Sequence, residues 1–484
     1  MKRLLIAAVL TATSMSSWAG GLLTNTNQNI AFNRMMSREA SIGIDGVYSN
    51  PAGVAFLQDG LHLSLNWQMA IQSRIVKNNY KLFENNTANP TTSREFKGKA
   101  FAPVVPSIQA AYNTSNWSFQ MNFSLVGGGG KCKFDNGLGS FERAVSNIAF
   151  GEVYKGIIAQ QVSALVPSLM AQGLTKEQAV AQAQAGIMSN PDAMQKIQQG
   201  ALANAKYTMN SYMRGRHSYF GLSLGAAYKF NEQLAGFAGV RGVYGTTNYY
   251  GYVNNITVAG KDAGMEIALN CDQSGIGFTP IIGIDYKPNE KFNRSARYEF
   301  KTRMRLKNQS VNKMPELDAV KEALAKFEDG KSIPEDIPAL LTVGAGYSPM
   351  ESLRLNIGAH YFFDKQATMY NDVQKKLDRG TIELNAGAEY DINKKVTVSA
   401  GWQNTNYGIT DEYMDDKSFV VNSNSIGCGA CIHLSDKVDL NVAYFTTLYG
   451  HKKTTETDAN TKLEYTSDYT RTNNVFGLGV DFKF

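Results

Sequence analysis

The sequence predicts an all-β transmembrane barrel of fourteen antiparallel strands, its lumen plugged by an N-terminal segment and one extracellular loop helical. Three observations predict it. Apolar residues recur at every second position in segment after segment, six short polar turns alternate with seven long loops, and no run reaches the roughly 18–20 consecutive apolar residues of a membrane helix. Only helices and closed barrels satisfy every backbone N–H and C=O in a bilayer, so a membrane chain without such a run must cross as strands.

Residues 1–19 read as a secretory signal. Lys2 and Arg3 precede an apolar run from Leu4 to Leu10, and Ser17-Trp18-Ala19 is a small-residue cleavage site before Gly20. Residues 20–59 lack alternation and are expected to form a hatch inside the barrel, which takes residues 60–484. Strands are placed at 61–75, 101–112, 117–126, 217–230, 234–250, 275–286 and 292–307, then at 337–347, 353–363, 381–390, 396–403, 423–434, 438–448 and 473–484. An even number puts both ends on one side. In the first, Leu61, Leu63, Leu65, Trp67, Met69 and Ile71 share one face, opposite His62, Ser64, Asn66, Gln68 and Gln72. The last ends on the outward row Phe476, Leu478, Val480, Phe482 and Phe484. A terminal aromatic of this kind resembles the assembly signal of outer-membrane proteins, which makes the assembly machinery an expected partner.

The connections 113–116, 231–232, 287–290, 348–351, 391–395 and 435–437 are rich in turn formers and belong at the periplasmic end. Strand three carries Trp117, Phe119, Met121, Phe123 and Leu125 outward and ends in Gly127-Gly128-Gly129-Gly130. Four glycines break a ladder and permit a kink; the same run would also serve as a flexible entry to the loop. That loop, 131–215, reads as helical. Val153, Ile157, Ile158, Val162, Leu165, Val166 and Leu169 form a stripe ending near Pro167 and Gly173. Thr175 with Gln178 makes a capping box, and Asn190-Pro191 starts a third helix. Ile157, Ile158, Leu165 and Leu169 are candidates for a hydrophobic capture groove, against ordinary loop packing. In strand seven Arg297, Glu299, Lys301, Arg303, Arg305 and Lys307 alternate with Tyr298, Phe300, Met304 and Leu306. The charges should face inward, with the later ones at the outer mouth. Arg297 and Arg303 are candidates for an anionic headgroup, with lipopolysaccharide phosphates or solvent as alternatives.

The residues 50–53, Asn-Pro-Ala-Gly, lie just upstream of the first strand. With a signal segment before them and strands ending in Phe484 after them, the whole chain resembles the FadL/TodX family of outer-membrane transporters for long-chain fatty acids and other hydrophobic compounds. The resemblance implies that Asn50, Pro51, Ala52 and Gly53 form the hatch motif beside a lateral opening at a kinked third strand. It implies that extracellular loops capture a hydrophobic small molecule or fatty acid, which leaves sideways through the wall.

Chemistry is not signalled. Five histidines are dispersed, no nucleotide or catalytic motif stands in context, and Cys428 and Cys431 sit on opposite faces of a strand, so no enzyme activity, cofactor or metal is expected. Cys132 and Cys271 fall in expected external loops, where a disulfide between them is open. The formal charge of +6 becomes +4 without Lys2 and Arg3, so no nucleic-acid partner is expected. The reading is a monomeric outer-membrane transporter in contact with lipid and lipopolysaccharide; an adhesion barrel and a general porin are the alternatives.

Overall fold

Alternation and turn chemistry close the chain on itself. The computed structural model describes residues 22–313 and 324–484; the expected signal segment lies outside them. Strands one to seven are Gly60–Tyr80, Ser93–Thr114, Trp117–Gly128, Tyr207–Lys229, Leu234–Val258, Ile267–Asn289 and Phe292–Glu299. Strands eight to fourteen are Leu340–Met350, Leu353–Phe362, Ile382–Asn393, Val396–Asn406, Ser423–Ser435, Val438–Tyr449 and Glu464–Lys483. Short pieces, Lys131–Phe134 and Arg305–Ser310, continue strands three and seven. Each strand pairs antiparallel with the next, and strand fourteen returns to strand one from Lys483↔His62 to Tyr465↔Tyr80. The fourteen-strand barrel expected from the sequence is therefore closed, with no edge to protect.

Side chains sort as the alternation requires. On strand one Leu61, Leu65, Trp67 and Ile71 are 39–46% exposed, whereas Ser64, Asn66, Gln68 and Gln72 are buried. Similar exposed rows, such as Phe476 and Leu478 on strand fourteen, circle the wall as an apolar belt. An exposed apolar surface of that extent is lipid-facing, and the polar positions face the lumen. No helix among the described residues is long and apolar enough to cross a membrane.

Several ladders extend well beyond the apolar segments. Strand two begins at Ser93 rather than near 101, and strand fourteen at Glu464 rather than near 473. Above the belt Lys77, Asn79, Lys97 and Lys99 point outward. Pairing continues there while the apolar signal stops. Cys132 and Cys271 consequently lie in strands, not loops, and both thiols are buried and free.

Strand seven departs from its expected phase. Arg297 and Glu299 face the lumen, but the ladder breaks after Glu299, and beyond the break Met304 and Leu306 are buried while Arg303, Arg305 and Lys307 are exposed. The later charges thus lie outside the wall rather than in the mouth. One irregular interval reverses every side chain that follows.

The long loop folds into three helices, Gly139–Met170, Lys176–Ser189 and Pro191–Asn204. Thr175 accepts from the Gln178 N–H and completes the capping box, and Asn190 caps the third helix ahead of Pro191. The first helix runs through Pro167 instead of stopping there. Its N-terminal half, including Phe141, Val145 and Phe150, descends into an apolar cluster with Tyr80, Phe134 and Tyr207 in the outer part of the lumen.

Candidate functional site

The segment from Leu22 to Asp59 fills the inner lumen, and nearly all of it to Ala55 is buried. Its helix Ile30–Met35 is capped by Asn29, whose side chain accepts from the Ala31 N–H. The wall is hollowed to receive it. At Gly387, Gly401 and Gly427, on three successive strands, any side chain would overlap backbone oxygens of Asn33 or Met35.

Charged ties hold the segment in place. Arg34 and Arg38 both pair with the Glu389 carboxylate, and Arg38 also donates from Nε and Nη2 to Asp45 at 2.8 and 2.9 Å. Glu39 meets His360 at 2.8 Å, and the other imidazole nitrogen faces Glu383 at 2.8 Å. Burial alone would raise the Glu39 carboxyl, but His360 beside it, with Ser37, holds it below its ordinary value. Arg241 donates to Glu299 at 2.6 Å, Arg297 lies 3.3 Å from the other oxygen, and the Arg297 guanidinium stacks 4.5 Å from the Tyr48 ring. Arg297 therefore anchors Tyr48 inside the lumen, whereas Arg303 is exposed on the outside; the two are not brought together.

Strand three breaks its ladder with strand two. Pairing runs to Ser107↔Ser124, stops, and resumes at Phe101↔Lys131. The unpaired stretch of strand two holds Pro103 and Pro106, and a proline has no N–H for a ladder. Across from it strand three turns inward. Leu125, expected to face lipid, is buried with Val126, and Gly128 takes φ +73°, a conformation that favours glycine.

The N-terminal segment takes over the lost hydrogen bonds. Asn25 donates its N–H to Val126 O at 2.9 Å and its amide to Gly128 O at 2.8 Å; Gln28 donates to Leu125 O at 3.1 Å. On the strand-two side Ser107 donates to Gln28 O at 2.5 Å. A side chain at Gly127 would overlap Leu23 O, so that glycine leaves room for the segment.

Asn50, Pro51, Ala52 and Gly53 sit lower in the lumen. Asn50 donates to Asp285 at 2.5 Å and accepts from the Gly53 N–H, and Gln120 of strand three donates to Pro51 O at 2.7 Å. The tetrapeptide touches strand three through Gln120, and the break itself is lined by Leu23 to Gln28. Asn25 and Gln28 were not legible as site residues; the signal available was the polar run Asn25-Thr26-Asn27-Gln28-Asn29 between Leu23 and Ile30.

At the long-loop end the three helices enclose a groove of about 830 Å³, with Phe150, Tyr154, Ile158, Val162 and Met188 on its walls and Lys155 and Lys462 at its edge. Of the four candidates, Ile158 lines it. Ile157 and Leu169 pack against the helical core behind it, and Leu165 is 44% exposed. Phe150 belongs both to the groove and to the apolar cluster below. Further in, Val126 of the strand-three bend packs with Tyr219, Val243 and Met304.

One group among the described residues has metal-ligand spacing: Cys431, His433 and Asp439. Its His433 and Asp439 donors are already engaged. His433 Nδ1 faces Asp439 at 2.6 Å and Nε2 faces Thr397 at 3.1 Å, while Lys483 donates to Asp439 at 2.9 Å. Cys428 is exposed on the opposite face.

The architecture is a barrel of fourteen strands, filled by its N-terminal segment and broken at the third strand, and comparison of structures finds the same fold elsewhere. A Pseudomonas aeruginosa FadL homologue superposes with a TM-score of 0.63 at 12% identity, covering 96% of this chain and all of that one. The Ralstonia pickettii toluene transporter TbuX gives 0.53 at 14% identity, covering 95% and 99%; the Pseudomonas putida toluene transporter TodX gives 0.52 at 13%, covering 96% and 100%. No family model and no curated protein matches the sequence. At this identity what is shared is the fold, and the chain has the FadL/TodX fold over nearly its whole length.

Proposed function

We propose that this protein carries hydrophobic compounds passively across the outer membrane, taking them up in the helical groove and releasing them sideways through the break between strands two and three. The single observation that carries this reading is the break itself. The Leu125, Val126 and Gly128 carbonyls accept from the N-terminal segment instead of from strand two, so the wall can stay open there without orphaned acceptors. Apolar cargo gains nothing from a wet pore, and a gap in the wall delivers it directly to hydrocarbon. The buried segment filling the inner lumen argues against a general porin. A barrel serving only adhesion has no need of the break.

Long-chain fatty acids are the cargo the groove favours. Its walls are apolar, and Lys155 and Lys462 at the edge suit a carboxylate. The test is uptake of labelled oleate and labelled toluene by cells lacking other such channels. Saturable oleate uptake that falls in Lys155→Gln/Lys462→Gln with toluene uptake unchanged supports the assignment; equal loss of both, or of neither, rejects the carboxylate and leaves only hydrophobic transport.

A further inference from the structure

The outer face of the wall carries a block of cations beside the strand-three break. Register sets Lys99 of strand two opposite Lys133, and Lys133 opposite Arg214 of strand four. One rung nearer the belt Phe101 pairs with Lys131, and Arg216 follows Gly215, the partner of Cys132. All five basic residues point outward, because the alternate positions Phe96, Ala100, Cys132, Phe134, Met213 and His217 are buried. Like charges directly opposite across strands repel.

Among the described residues no carboxylate forms an ion pair with any of the five; Glu95 and Asp135, the acids on the same elements, are exposed at the far edge. Arg214 lies flat on the wall with its guanidinium 4.8 Å from the Tyr250 ring. A charge pattern of this kind is stable once an anion with several acceptor oxygens sits across it.

Position decides which anion. Toward the short-turn end Phe101 of strand two and Leu222 of strand four are 55% and 45% exposed, and Tyr244 of the neighbouring strand five is 49% exposed, so the lipid belt begins beneath the block. A lipid whose chains cover that belt places its headgroup among the cations. A free anion has only a solvent-screened surface to gain.

We propose that Lys99, Lys131, Lys133, Arg214 and Arg216 bind the phosphate groups of a phosphorylated glycolipid in the outer leaflet, which closes the rim of the wall above the strand-three break. This rests on the outer-membrane reading with the long loops outside. It is independent of the identity of the cargo.

Native mass spectrometry of the full-length mature protein in detergent, mixed with a diphosphorylated acyl-glycolipid, its dephosphorylated form, phosphatidylethanolamine or inorganic phosphate, tests it. The expected result is a one-to-one adduct with the diphosphorylated glycolipid alone, weakened about tenfold or more in Lys99→Gln/Lys133→Gln/Arg214→Gln. The substitutions relieve repulsion on an exposed face, so assembly should hold; heat-modifiable migration checks this, and Lys131→Gln/Arg216→Gln serves as a second variant with the same expected loss. Equal adduct in the variants, equal adduct with the dephosphorylated lipid, or displacement by inorganic phosphate at equimolar concentration overturns the proposal. Labelling of Gln160→Cys by an impermeant maleimide on intact cells reports the orientation separately, so a failure of that premise is distinguishable.

Discussion

Asn25 and Val126 are joined backbone to backbone, the Asn25 N–H donating to the Val126 carbonyl at 2.9 Å, so the N-terminal segment acts as a short surrogate strand where strand three leaves strand two. The Asn25 side chain reaches Leu125 O and Gly128 O on either side of the same bend. The buried N-terminal segment and the break between strands two and three are therefore one structure.

Replacing Gly127 by Val does not simply restore the strand. The new side chain meets Leu23 O, so it displaces the arm that holds the bend; at Gly128 a side chain also pays the left-handed conformation, about 1–2 kcal/mol. Both variants are expected to assemble, measured by heat-modifiable migration, and to lose most uptake of a labelled hydrophobic substrate. Wild-type uptake in an assembled Gly127→Val protein contradicts the role given to the arm.

Removal of residues 20–58 empties the inner lumen. The intact protein is expected to be silent to small ions in planar bilayers, and the truncated one to conduct. Porin-like conductance before truncation, unchanged after it, means that the segment is not a plug.

Acid should loosen the same segment. The folded Glu39 carboxyl is held below its ordinary value of 4.5, so its contribution is complete above that value and disappears as pH falls through the lower folded value. Conductance of the intact protein is expected to appear only below about pH 4.5 and to be absent at pH 7. Glu39→Ala, which strips His360 of one buried partner at a cost of about 3–5 kcal/mol, is expected to conduct at pH 7. A closed Glu39→Ala channel removes this tie from the account.

The groove separates residues of one stripe. Ile158→Asp, inside it, should reduce surface capture of labelled oleate severalfold, whereas Leu165→Asp, already 44% exposed, should change neither capture nor assembly by a measurable amount. Equal effects at the two positions mean that the stripe only packs the loop.

Phe484 tests assembly instead of transport. It ends the exposed row of strand fourteen, and its N–H donates to Leu61 O at the seam. Its deletion is expected to cut barrel yield in membrane fractions sharply; normal yield denies the terminal aromatic a recognition role.

Strand number, closure and the inside–outside sorting were legible because a lipid-facing row writes itself into the sequence at every second residue. The helix caps at Thr175 and Asn190 were legible for an equally local reason. Strand length was not, since Lys97 and Lys99 continue the ladder without continuing the apolar signal. Nor was the reversal at Arg303, which depends on one irregular interval after Glu299. Asn25 and Gln28 escaped notice because their partners, the carbonyls from Leu125 to Gly128, lie about a hundred residues away. The glycines at 387, 401 and 427 were visible only as abundance, and their meaning needs the helix that fills the space beside them.

The lateral route is tested most directly by photo-crosslinking. Val105 stands in the unpaired stretch of strand two and packs beside Ala102 and the segment residues Phe32 and Met36, while Gln120 faces the lumen below the break. A photoreactive phenylalanine analogue at each position, illuminated during uptake of a labelled hydrophobic substrate, should give a labelled adduct at 105 and little at 120. Adduct at 120 with none at 105, while uptake proceeds at the normal rate, would contradict sideways exit and send the cargo down through the hatch.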